Sequence, residues 1–169
     1  MEHKITNQNT QHRVLTTQLM ANLQEYFWEQ PWFGNDGLIN ALRKIDGTHL
    51  TLRPHEGRRN VAEFVLHLRA WRHLVIELLD QNPIAIETDS PTDWQVCNDM
   101  QLPNWLRLLD ELEAQQHQIL DILSEKNDDF LKQNAIQRHY SNDYLVRGMI
   151  QHDVYHLAQI QFTLKMLEI

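Results

Sequence analysis

The sequence is poor in residues that break or staple a chain. It has one cysteine, Cys97, so no intrachain disulfide can form. Its 169 residues include only five glycines and five prolines. An all-β chain needs a turn about every 8–12 residues, so this scarcity argues against strands and for long helices. Basic residues are also in the minority. Lys and Arg number 15 against 23 Asp and Glu, a formal charge of −8. That balance excludes general binding to nucleic-acid phosphates, which needs a basic footprint. No run approaches the ~18 apolar residues of a membrane span. The opening MEHKITNQNTQHRVLTTQLM is too polar in its middle for a signal peptide. The expectation is a cytoplasmic protein of one domain over residues 1–169, a length that supports a full core.

What is present is helical periodicity. Val14, Leu15, Leu19, Leu23 and Phe27 recur at three- and four-residue steps, predicting a helix from about Gln11 to Trp28. A turn-rich PWFGNDG and a short helix over Leu38 to Ile45 follow. Asn60 and Glu63 form a capping-box pattern ahead of Phe64, His67, Trp71, Leu74 and Leu78. The segment from Asn82-Pro83 to Leu102 is long for a structureless loop and should pack on the body, with Trp94 and Trp105 as pins. Pro103 opens a third helix bearing Leu106, Leu109, Leu112, Ile119 and Leu123. Ser141 or Asn142 caps a last helix with Leu145, Met149, His152, His156 and Ile160 on one face. Four long helices predict an all-α, antiparallel four-helix bundle with a long crossover, expected in the first connection.

Ten histidines are the chemical feature. His152 and His156 are one helical turn apart, so both imidazoles can reach one cation. They lie on an apolar face, where an unpaired polar group is costly. His67 has the same position on another helix. Three imidazoles converging from two helices make a three-nitrogen site with an open position for water or substrate. The alternative is three core histidines bonded to carbonyls or carboxylates. Other metal patterns are absent. The segment His152-Asp153-Val154-Tyr155-His156 lacks the Glu of a zincin. No glutamate precedes a histidine by three residues, as di-iron bundles need. Asp153 is the last aspartate, so the later one that HD-type phosphohydrolases use is missing.

The stretches NVAEFVLHLRAWRH from Asn60 and MIQHDVYHLAQIQFTLK from Met149 resemble the DinB-like family of four-helix-bundle proteins. PWFGNDGLINALRKI and LRPHEGRRNVAEFVLH are similar to that family's lead-in. One departure is Ala158, where the family more often has glycine. The resemblance implies one divalent transition metal, zinc, nickel or similar, on His67, His152 and His156. Bacillithiol S-transferases and mycothiol-dependent isomerases belong to that family. It therefore also implies a small-molecule substrate, a low-molecular-weight thiol and a homodimer. A metal-dependent enzyme of thiol S-transferase or hydrolase type follows. The contrasting expectation is a non-catalytic stress-response or interaction protein with a structural metal or only core histidines.

Further candidates each carry a plainer alternative. Glu63 is a fourth ligand, a substrate contact or a helix cap. Trp71, one turn after His67, walls the site. Arg58 and Arg59, in a cluster with Arg53, Arg69 and Arg72, hold the carboxylate of an anionic substrate or line a solvated surface. His139, with Tyr140, overhangs the site. Asp153 is solvated or supports a ligand. Cys97 is a packing residue rather than a nucleophile.

Overall fold

A computed structural model of the chain describes residues 13–31, 34 and 36–168. They form six α-helices: α1 (Val14–Trp28), α2 (Leu38–Arg43), α3 (Val61–Leu79), α4 (Leu102–Ser124), α5 (Asp128–Lys132) and α6 (Asn142–Met166). A 3-10 turn spans Gly47–His49, and one isolated bridge joins Asn134 to Ser141, with no strand among the described residues. Gln11, the expected first helical residue, lies outside the described residues, as do His3, His12 and Trp32.

Three of the four long helices begin where a side chain accepts from their free N–H groups, and α4 instead has Pro103, which lacks an N–H, in its first turn. Asn60 Oδ1 accepts from the Glu63 N–H at 2.9 Å, and Glu63 Oε2 accepts from the Asn60 N–H at 3.3 Å. Ser141 Oγ accepts from the Tyr144 N–H at 3.1 Å to start α6. No side chain of its own caps α1. Asp128, at the start of α5, does so from a distance, accepting from the N–H of Leu15 at 3.1 Å and of Thr16 at 2.9 Å. Val14 and Leu15, expected in the buried stripe, are therefore exposed in the first turn, and Thr16 takes the inward place. Leu106 is also exposed, because Trp105 fills the core position beside it.

Cross-helix bonds set the directions. Arg69 bonds Glu111 and Arg72 bonds Gln116, so α3 and α4 run parallel. Trp28 bonds Glu113, and the Leu23 carbonyl accepts from Gln116, so α1 runs against α4. His67 meets His156 while Arg72 meets Asp153, so α6 runs against α3. A parallel pair needs a connection that returns along the bundle. Residues 80–101 are that crossover. The first connection is also long, but its α2 packs against α1 and α4 instead.

One polar node ties all four long helices together. Arg72 and Asp153, both wholly buried, pair at 2.5 Å. Arg72 Nη1 also donates to Tyr26 Oη at 2.7 Å, and Tyr26 donates to Asp153 Oδ2 at 3.0 Å. Arg72 Nη2 donates to Gln116, whose Nε2 donates to the Leu23 carbonyl at 2.7 Å. Arg72 and Asp153 are thus not the solvated residues that their charge suggested. Removing one partner leaves the other charged and buried. We expect Asp153→Ala to cost about 3–5 kcal/mol in denaturant unfolding of the metal-free protein. The double change Arg72→Met with Asp153→Leu should cost less than that single one. Equal or greater loss in the double variant would contradict the uncompensated-charge account.

Candidate metal centre

The antiparallel α3 and α6 bring His67 opposite His152 and His156. The three Nε2 atoms form a triangle with edges of 3.0 Å (67–152), 3.1 Å (67–156) and 3.1 Å (152–156). His67 and His156 are buried, whereas the His152 side chain is 25% exposed, so the site is reached past His152.

The outer nitrogens fix the tautomers. His67 Nδ1 lies 2.9 Å from the Asp93 carbonyl oxygen and 2.9 Å from Asp93 Oδ1. Both are acceptors, so Nδ1 carries the hydrogen. His156 Nδ1 lies 2.7 Å from Gln159 Oε1, and Gln159 is oriented by donating from Nε2 to Tyr155 Oη at 3.0 Å. His156 therefore also donates from Nδ1. In a neutral imidazole the other nitrogen is then a bare lone pair. Two lone pairs thus face each other across 3.1 Å.

Hydrogen bonding cannot relieve this triangle. Each nitrogen is either a donor or an acceptor, so at least one edge must pair like with like. Protonation does not relieve it at neutral pH either. Burial, then repulsion from His152 and His67, pushes His156 down to about 4. Burial likewise lowers His67, against the opposing pull of Asp93. A shared cation does relieve it. Edges of this length subtend about 95° at a point ~2.05 Å from each nitrogen, an ordinary zinc–imidazole distance. The donor set fits a divalent transition metal held on one side, with its other side open.

The crossover supplies one wall. Trp94 stacks on His67 with ring centroids 3.8 Å apart and planes 6° apart. The Arg59 guanidinium lies 4.6 Å from the Trp94 centroid. Phe64 packs against both Trp94 and His156. On the other side Trp71 packs against His67 and His152, and its Nε1 donates to Asp93 Oδ1 at 2.8 Å. Asp93 was not foreseen as a site residue. The signal available was a turn-forming Ser90-Pro91 and a tryptophan inside an overlong loop.

A family model described as the DinB superfamily matches residues 8–160. The chain belongs to the DinB superfamily. No curated protein and no solved structure matches it. In this DinB-superfamily bundle, no described helix is long and apolar enough to cross a membrane.

The remaining candidates fall in different places. Of the three roles open to Glu63, the structure shows the helix cap, with the side chain wholly buried, and neither a metal nor a substrate contact. Its oxygens are taken by Arg53 at 2.5 and 2.8 Å, by the Cys97 N–H at 3.1 Å and by Asn60. Burial opposes its charge, but these bonds outweigh burial and hold it below the usual carboxylate value. His139 is exposed, and it is Tyr140 that lines the cavity beside His152. Arg58 and Arg59 line a separate cavity of about 440 Å³ with Phe64, Ala158, Gln159 and Phe162. Cys97 is buried, and burial raises its thiol, so it is no nucleophile.

The lowered histidines make the metal-free fold acid-sensitive. An unfolded histidine protonates near 6.5, whereas His156 in the fold stays neutral down to about 4. Across that window the unfolded chain binds more protons, so stability falls as pH falls. His156 and the likewise lowered His67 both contribute to that loss. Thermal unfolding of metal-free protein at a series of pH values should show it. His156→Gln should flatten the dependence; an unchanged slope would show that His156 does not contribute.

Proposed function

We propose that this protein is a metal-dependent enzyme of thiol S-transferase type, acting on a small molecule. The observation that carries it is the nitrogen triangle, with two lone pairs facing inward. His67, His152 and His156 hold one divalent transition metal, such as zinc or nickel. When bound, that ion supplies Lewis acidity, which lowers the pKa of a thiol or water at its open side.

The chain's own residues do the rest. Asp93 and Gln159 keep the hydrogen on Nδ1 of His67 and His156, so both Nε2 lone pairs point inward. Trp94, Phe64 and Trp71 exclude water from the buried side. Arg58 and Arg59 lie on the other side of Phe64 and suit the carboxylate of a low-molecular-weight thiol. A thiol suits the site better than hydrolysis. Hydrolysis wants a carboxylate base near the attacking water. Asp93 and Glu63 are occupied as acceptors for Trp71 and Arg53, and Asp153, which stands behind His152, is held by Arg72 through Oδ2. A thiol ionises with less help. It gives its proton to bulk water, and its sulfur forms a bond to an electrophilic carbon. The bond from that carbon to the leaving group breaks, and the electron pair departs with the leaving group. We place the enzyme in the cytoplasm as a homodimer. The charge of −8 is at odds with a nucleic-acid role.

Elemental analysis and cobalt substitution test the reading. One cobalt per chain is expected, with a spectrum that changes when a thiol is added. His67→Ala should abolish stoichiometric binding, and Asp93→Ala should weaken affinity about 10–100-fold with all three ligands present. Thiol consumption with an alkylating electrophile should disappear in His67→Ala. A chain that takes up no metal refutes the metal centre. Product release that is independent of thiol would make the enzyme a hydrolase.

A further inference from the structure

Two cavities flank the histidine triangle along the groove between α3 and α6. The one with Arg58 and Arg59 lies toward the C-terminal half of α6. The other, of about 220 Å³, lies toward its N-terminal half and has His152 in its wall. There α3 contributes Trp71, Leu74 and Val75, and α6 contributes Leu145, Gly148 and Met149. Tyr140 and Tyr144 stand together at its edge, with ring centroids 5.4 Å apart.

No charged side chain lines this second cavity. Its one indole donor, Trp71 Nε1, is already given to Asp93. The other polar groups in its wall are the Tyr140 and Tyr144 hydroxyls and the His152 ring, and the rest is apolar. An ionised group entering it would lose hydration without gaining an opposite charge. An apolar group loses nothing of that kind. A cavity of about 150 Å³ suffices for benzene, so this one accommodates a single ring with a short substituent. Gly148 keeps the space open, since a Cβ built there meets nothing within 4 Å.

We propose that this cavity binds the uncharged, apolar part of the substrate, an aromatic ring or a compact alkyl group, and presents its reacting end past His152. The chemistry at that end rests on the metal-dependent function above; the apolar binding does not. The two sides of the centre then divide the ligands by charge, the anionic one toward Arg58 and Arg59 and the neutral one toward Gly148.

The test uses the full chain and Gly148→Leu, which fills the cavity while replacing a poor helix former with a good one. In the first arm, toluene is titrated into metal-free protein and followed by tryptophan fluorescence and methyl NMR. Saturable binding in the wild type, weakened at least tenfold in Gly148→Leu, is expected. In the second arm, cobalt-loaded protein receives phenylmethanethiol or 3-mercaptopropionate. Gly148→Leu should raise at least tenfold the concentration at which the neutral aromatic thiol changes the cobalt spectrum, and should leave unchanged the response to the charged thiol, which belongs on the arginine side. No toluene binding, or equal binding by the variant, overturns the proposal. So does a Gly148→Leu protein whose cobalt responds to the aromatic thiol as the wild type does. If cobalt does not bind, the enzyme function falls, and the toluene arm alone decides the cavity.

Discussion

The buried pair of Arg72 and Asp153 fixes how α3 lies against α6. Neither charge has access to water, so each must stay against the other. That requirement removes freedom to slide the two helices by a turn. His67 lies five positions before Arg72, and His152 is the neighbour of Asp153. With the pair formed, the register it holds sets His67 opposite His152 and His156. Tyr26 and Gln116 extend the constraint to α1 and α4, so the same node orients the whole bundle around the site.

Each imidazole is then set by what stands behind it. Asp93 reaches His67 from the crossover, and Gln159 reaches His156 from the next turn of α6. Behind His152 the nearest candidate is Asp153 Oδ1, 3.7 Å from Nδ1, and neither atom has a hydrogen bond among the described residues. A small rotation of His152 would let Nδ1 donate to that oxygen and make all three rings alike. The node that fixes helix register would then also support the third ligand. A metal would favour that rotation, because it needs the His152 lone pair directed inward as well.

The three histidines were legible in the sequence because helical periodicity is a local property. A polar ring on an apolar stripe is visible from spacing alone, and two such stripes suggest a meeting. Arg72 and Asp153 were legible only in part. Each adjoins the site stripe at a height that would match in an antiparallel pair, but charge argued for solvent. Only the knowledge that α3 and α6 are neighbours turns two apparent surface charges into a pair. Asp93 and Trp94 were harder still, since a docked loop has no period and its contacts span the crossover. The location of that crossover was misplaced for a related reason. Length marks both long connections, but direction depends on which helices touch. Glu63 shows the reverse case, where a local capping pattern predicts the observed contact and the proximity of His67 misleads.

The polarity of the groove gives the site a direction that the three imidazoles alone do not have. A nitrogen triangle has two faces, and nothing in the imidazoles says what approaches from each. Along α6, the turns before His152 present Leu145, Gly148 and Met149, and those after His156 present Gln159 and Phe162 beside the arginines. A centre with an acidic residue on either side would use local repulsion to keep anions away. Here Asp93, Glu63 and Asp153 are held in fixed contacts, and among the described residues lining the two cavities the arginines stand on one side. In a chain with a net charge of −8, that local positive charge is the feature able to draw an anion inward. The apolar side offers such an anion no compensation for lost hydration. Electrostatics and desolvation thus favour the same assignment of partners to sides.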